Sequence, residues 1–170
     1  MPNLTTIEKD FFYTDERVAL VQGNLFRNHG NLSLATGESL FSAVNLSQTA
    51  KFNLSTTAWS GNFTVTVYEG GVITGGIPIS LPVNVNRLSD KPFQGEVEVA
   101  LSGSGGSIDL TGATQLFQVV VDESSSNKGG SGLELPFMIL APELDYTFVL
   151  QNDNNGSNSV QYDSQYVFFE

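Results

Sequence analysis

Apolar and polar positions alternate with a period of two along most of this chain. In residues 61–70, GNFTVTVYEG, Phe63, Val65 and Val67 fall on one side and Thr64, Thr66 and Tyr68 on the other, and Gly70 and Gly71 close the run. That alternation predicts a half-buried β-strand. KFNLSTTAW places Phe52, Leu54, Thr56 and Ala58 on one face. GEVEVALSG sets Glu96 and Glu98 against Val97, Val99 and Leu101, a strand with one solvated side. ATQLFQVVVDE has Phe117, Val119 and Val121 on one side and Leu116 and Val120 on the other, which predicts a central strand covered on both faces. ISLPVNVNRL alternates Leu81, Val83 and Val85 with Asn84 and Asn86, and Pro82 inside it predicts a sheet edge or a bulge. ELDYTFVLQN, with Leu144, Tyr146, Phe148 and Leu150, and NSVQYDSQYVFFE, with Val160, Tyr162, Tyr166 and Phe168, complete the series.

Turn-forming clusters separate these runs: EGGVITGGIP, SGSGGS, SSSNKGGSG and NDNNGSN. Glycine supplies positive φ there, and Asn and Asp tolerate it. Short strands joined by such turns, with no amphipathic helical segment between them, predict an all-β antiparallel sandwich of jelly-roll type. No fixed-period repeat indicates a propeller or solenoid. Residues 1–30 alternate more weakly and mix aromatics with both charges. They predict either an N-terminal arm that packs against a partner or an ordinary edge strand, ahead of a sandwich domain at 31–170.

Composition narrows the chemistry. With 170 residues the chain is one domain, large enough to bury roughly 70% of its unfolded surface. Seven Lys and Arg against eighteen Asp and Glu give a net charge of −11. Such a chain repels polyanions, so no nucleic-acid partner is expected. MPNLTTIEKD has neither the basic segment nor the apolar run of a secretory signal, and no apolar stretch has the length of a membrane span. The chain has no cysteine and a single histidine. That removes thiolate chemistry and His-rich or Cys-ligated metal sites; no cofactor is expected.

The remaining candidates for chemistry are weak. His29, between Asn28 and Gly30, reads as a solvated turn residue, and no G-x-S-x-G elbow accompanies it. NDNNGSN is superficially a calcium loop. With Gly156 aligned to the invariant glycine, however, Gln151 and Tyr162 occupy positions that require carboxylates, so a hairpin turn is the better reading. Glu96 and Glu98 on one strand face are what a solvated face looks like. Trp59 and tyrosines 68, 146, 162 and 166 either form a sugar-stacking platform or fill a sandwich core. The sequons at Asn3, Asn31, Asn45, Asn53, Asn62 and Asn155 read as by-products of polar strand faces, and GSGGS leads into no helix that would bind an anion. No enzymatic activity is expected.

The order of segments carries a resemblance. The strand Phe63-x-Val65-x-Val67-Tyr68-Glu69-Gly70 is followed by Asn86-Arg87, by Pro142-x-x-x-Tyr146 running on to Asn152, and by the terminal Phe168-Phe169-Glu170. Over residues 35–170 this resembles a family of capsid decoration, or cement, proteins of tailed bacteriophages. The basic residue usual before the proline is absent from ILAPELDY, and residues 1–30 lie outside the resemblance.

The resemblance implies a jelly-roll-like sandwich on the outer face of a virion. It would clamp neighbouring copies of the major capsid protein, as a homotrimer or a dimer. Phe63, Tyr68, Glu69, Gly70, Asn86, Arg87, Pro142, Tyr146, Asn152 and Glu170 would then be family-motif structural positions. Capsid contacts are expected in the arm, at Phe11, Phe12, Tyr13, Arg17, Phe26 and Arg27, because exposed aromatics and Arg anchor interfaces. A receptor- or carbohydrate-binding sandwich of a phage fibre or tail is the alternative expectation.

Overall fold

The computed structural model describes residues 18–59, 62–78, 82–121, 131–134, 138–153, 156 and 158–168. Among them, fourteen strands follow a helical segment at 18–22. They are β1 (Leu25–Leu34), β2 (Ser39–Leu46), β3 (Ala50–Trp59), β4 (Phe63–Glu69), β5 (Val72–Thr74), β6 (Ile77–Pro78) and β7 (Val83–Asn84), then β8 (Gly95–Leu101), β9 (Ser107–Asp109), β10 (Thr114–Val121), β11 (Ser131–Glu134), β12 (Met138–Leu140), β13 (Asp145–Asn152) and β14 (Asn158–Phe168). One sheet has the order β11-β3-β14-β1-β7, with β12 also paired to β3. The other has the order β10-β4-β13-β2-β8-β6, and β5 pairs with β9 in a separate ribbon.

With residues 72–109 set aside as an insertion, the first strand lies beside the last, β1 beside β14. The second lies beside the penultimate, β2 beside β13, and every pairing is antiparallel. Each connection along this reduced chain passes from one sheet to the other except that from β4 to β10, which are antiparallel neighbours in one sheet, and β11 and β12 serve as two halves of one strand against β3. This is the jelly-roll arrangement. The insertion adds β8 and β6 beyond β2 and adds β7 beyond β1.

The alternation of the sequence becomes the two inner faces. Phe52, Leu54 and Thr56 of β3, Phe63, Val65 and Val67 of β4, Phe148 and Leu150 of β13, and Tyr166 and Phe168 of β14 are all buried. A run of aromatic contacts links the layers. Phe148 meets Phe52 at 4.7 Å between ring centroids, Phe52 meets Tyr166 at 5.0 Å, and Tyr166 meets Phe93 at 5.0 Å. Phe93 comes from the loop before β8 and packs edge-on against Phe26 and Phe168. Burial pushes the Tyr166 phenol far above its ordinary pKa, so it stays protonated.

Four expectations are corrected. Among the described residues strand β10 is not central: it ends its sheet, paired to β4, and Leu116 and Val120 are 46% and 60% exposed. NDNNGSN is not the turn of a β-hairpin, because the strands it joins, β13 and β14, lie in different sheets. His29 stands within β1 opposite Asp163, not in a turn. Phe26 does not belong to an arm: strand β1 starts at Leu25, and Phe26, 2% exposed, is core. A boundary at residue 30 therefore falls inside β1. Of the alternation read across 81–85, Leu81 lies outside the described residues, and Val83–Asn84 form the two-residue β7 at a sheet edge beside Pro82.

Tyr146 explains the proline–tyrosine spacing. The chain leaves β12, turns through residues 141–144 with Glu143 at φ 62°, and enters β13 in the opposite sheet. At the start of β13 the buried Tyr146 hydroxyl accepts a hydrogen bond of 3.0 Å from the Ala141 N–H, five residues upstream. A tyrosine fastening the corner before its own strand is a recurrent device of β-sandwiches. Tyr146→Phe is expected to lower the unfolding free energy by about 1–2 kcal/mol, since it leaves the Ala141 N–H without this acceptor. Urea denaturation with an unchanged m-value would check it; an unchanged midpoint would refute the role.

Candidate functional site

The motif residues from distant segments meet. Strands β4 and β13 are neighbours in register, with Phe63 opposite Asn152, Val65 opposite Leu150, Val67 opposite Phe148 and Glu69 opposite Tyr146. The stretches Phe63–Gly70 and Tyr146–Asn152 are thus two sides of one ladder at the middle of their sheet. Both ends of the ladder are fastened. At one, the Gly70 N–H donates to the Asp145 carbonyl at 2.7 Å, with Gly70 and Gly71 at φ 89° and 91°; the Thr147 hydroxyl also donates to the Gly70 carbonyl. At the other, the buried Asn152 donates from Nδ2 to the carbonyls of Leu34, Ala35 and Gly156.

Asn86 organises a separate turn. Its N–H donates to Asn84 Oδ1, its own Oδ1 accepts from the Leu88 N–H, and its Nδ2 donates to the Val21 carbonyl. It thereby ties the insertion to the helical segment at 18–22. That segment sits against the outside of the sheet, where Ala19 packs with Leu25 and Val167. Arg87 and Pro142 are exposed, and Tyr68 and Glu69 are half-buried.

Of the expected capsid contacts, Phe11, Phe12, Tyr13 and Arg17 lie outside the described residues, as does Glu170 at the far terminus. Phe26 is enclosed in the core and presents no surface. Arg27 is exposed on β1, where its Nε and Nη2 donate to Gln165 Oε1 at 3.1 and 2.8 Å. A sugar platform of the named tyrosines does not assemble. Tyr146 and Tyr166 are buried, while Tyr68 and Tyr162 belong to different sheets; the Trp59 side chain lies outside the described part. Glu96 and Glu98 are exposed on β8. Among the described residues no group of three or more His, Asp or Glu side chains is placed to hold a metal ion.

Two surface features remain that the sequence patterning missed. The first is the edge strand β10. Its sequence, TQLFQVVV, carries no charge in a chain of net −11, and Leu116 and Val120 project from it into solvent. Natural edge strands are usually blunted by Lys, Pro or charge, and one that is not offers unpaired backbone groups and apolar side chains to another chain. A register shift between Gln115 and Phe117 makes the strand irregular beside Leu116. The second is a cleft between β1 and β8, built from Gly30, Leu32, Leu40, Val99, Leu101 and Tyr162 among others.

In comparison with known proteins, no family model and no curated sequence matches the chain. The fold therefore defines its class at this point: an all-β jelly-roll sandwich with an insertion between its fourth and fifth core strands.

Proposed function

We propose that the chain is a structural protein of a bacteriophage virion. In this reading it decorates the outer capsid surface and clamps neighbouring copies of the major capsid protein, itself assembled as a homotrimer or dimer. The observation that carries this reading is the uncharged edge of β10 with its exposed Leu116 and Val120. An acidic molecule keeps one strip to which a protein strand or apolar groove can dock without burying charge. The ordered motif residues add to it. Those of β4 and β13 form the scaffold ladder, which leaves edges, insertion and N-terminal segment to vary with the shell they meet. Many modest contacts per particle, each tied to its neighbours, hold such a clamp by multivalency.

Quantitative mass spectrometry of purified particles tests the reading directly. A copy number equal to that of the major shell subunit, or a simple fraction of it, supports whole-capsid decoration. A few copies per particle would move the protein to a vertex, tail or fibre and favour receptor or carbohydrate binding. Absence from particles would refute the virion reading.

The edge has its own test. Leu116→Lys combined with Val120→Lys is expected to change stability by less than about 0.5 kcal/mol per site, because both side chains are exposed. Co-sedimentation with assembled shells is expected to weaken about tenfold or more in the same variant. Undiminished co-sedimentation would remove β10 from the contact.

A further inference from the structure

The two sheets do not close on each other along their whole length. At one end of β1, Phe93 enters between the layers and fills the space beside Phe26, remaining only 8% exposed. Four to six residues further along the same strand, the chain places Gly30 and then Leu32 at the inward positions. Between them and β8 lies a cleft of about 360 Å³. Leu32, Val99, Leu101 and Tyr162 face the inside of the sandwich here, yet each stays partly exposed.

Gly30 is what shapes this cleft. It pairs directly with Tyr162 across β1 and β14, and the hydroxyl end of the tyrosine ring lies over its Cα. A Cβ at position 30 would overlap the ring. A glycine inside a strand marks close approach of another group, and here the group is the cross-strand aromatic. The ring forms a wall of the opening and does not fill its middle.

Leu40, Val99 and Tyr162 also border a smaller void of about 30 Å³ deeper between the sheets, where Asn28, Ser42 and Ser164 are found. The outer cleft is mainly apolar and no side chain lining it carries a charge, and the deeper void is also mainly apolar, with Asn28, Ser42 and Ser164 as uncharged polar groups in its lining. We propose that this cleft binds an uncharged, predominantly apolar small molecule bearing a hydroxyl group. Its apolar part would lie against Leu32, Val99, Leu101 and Tyr162, and its hydroxyl would point to Asn28, Ser42 and Ser164.

The volume lies within the range of small-molecule sites. It exceeds the roughly 150 Å³ apolar cavity that takes up benzene, so the ligand is larger, of the order of a C8 chain or a bicyclic ring. Neutrality follows from the lining and from the net charge of −11, which disfavours an anion. Partial burial raises the pKa of the Tyr162 phenol, which remains a neutral donor at the cleft wall. This site shares no residue with β10, so the inference does not depend on the capsid reading.

The test is an NMR titration of the whole chain with 1-octanol and, separately, with sodium octanoate. Saturable shifts confined to Gly30, Leu32, Val99, Leu101 and Tyr162 are expected with 1-octanol, and binding about tenfold weaker or more with octanoate. Leu101→Trp, at a partly exposed position, is expected to fill the cleft and abolish the shifts while the rest of the spectrum is retained. Should that variant fail to fold, a crystal of the unaltered chain soaked in 1-octanol gives the same answer by the presence or absence of density at Tyr162. Non-saturating shifts spread over exposed Leu88, Leu116 and Val120 would overturn the site. Unchanged binding in Leu101→Trp would overturn its location, and equal binding of octanoate would overturn the ligand class.

Discussion

Phe52→Ala is expected to lower the unfolding free energy by about 3–5 kcal/mol, the range for removing a buried phenylalanine from a packed core. Phe52 is 1% exposed and stands where the two sheets meet, between Phe148 of one layer and Tyr166 of its own. Truncation removes its ring contacts on both sides and opens space that the neighbouring strands cannot close, because β3 is held by β14 on one flank and by β11 and β12 on the other. The small void already beside Phe52 would merge with the new one. A domain of this size is stable by only about 5–15 kcal/mol, so the loss removes a large share. In thermal unfolding it corresponds to a fall of about 10 °C or more. Phe52→Leu, which keeps most of the volume, is expected to cost clearly less. A Phe52→Ala loss below about 1 kcal/mol would mean that the aromatic run is not the centre of the core.

That centre was legible in the sequence because burial in a sheet repeats every second residue. Phe63, Val65 and Val67, or Phe52, Leu54 and Thr56, announce both their strand and its inner face. What the period does not carry is which strand lies next to which. Val120 and Leu116 are apolar on the second face of β10, and from the pattern alone that means cover on both sides. In the fold, the face of β10 that carries Leu116 and Val120 is the outer face of its sheet and lies open, so these residues are solvent-exposed. The error at NDNNGSN has the same origin: Gly and Asn predict a reversal, and only the topology decides whether the chain returns to the same sheet or to the opposite one. Phe26 was misplaced for a different reason. The polar residues around it, Arg27, Asn28 and His29, mask a strand whose inner row contains Asn28 and Gly30.

The candidate sites were the least legible. Nothing in HGN distinguishes a turn glycine from a strand glycine that lies under a tyrosine more than a hundred residues away. The cleft depends on three long-range facts: the pairing of β1 with β14, the position of β8 beyond β2, and the filling of one end by Phe93. The ladder of Phe63–Gly70 with Tyr146–Asn152 was visible as two motifs. Their contact required the fold.

Asn152→Asp is expected to be more destabilising than its near-identical shape suggests, by about 3 kcal/mol at neutral pH. Asn152 is 0% exposed, and its Nδ2 donates to the carbonyls of Leu34, Ala35 and Gly156 at 2.9, 3.1 and 2.8 Å. Its backbone joins the same lock, its carbonyl accepting from the Gly37 N–H and its N–H donating to the Glu38 carbonyl. One side chain thus fastens the end of β1 to Gly156, between β13 and β14. A carboxylate has no hydrogen to offer, so three carbonyls lose their donor and face a buried negative charge. Each unmet buried group costs about 1–3 kcal/mol.

The sign of the pH dependence follows. Burial and the surrounding carbonyls favour the neutral carboxylic acid, so the introduced group has a folded-state pKa above its unfolded value of about 3.9. The folded state then binds more protons. The defect is smallest below the unfolded pKa and grows as the pH rises through the folded one. Denaturation midpoints of the variant, taken relative to the unaltered chain from pH 4 to pH 8, are therefore expected to fall steadily. A difference independent of pH would mean that the carboxylate escapes to solvent and that Leu34, Ala35 and Gly156 are held without Asn152.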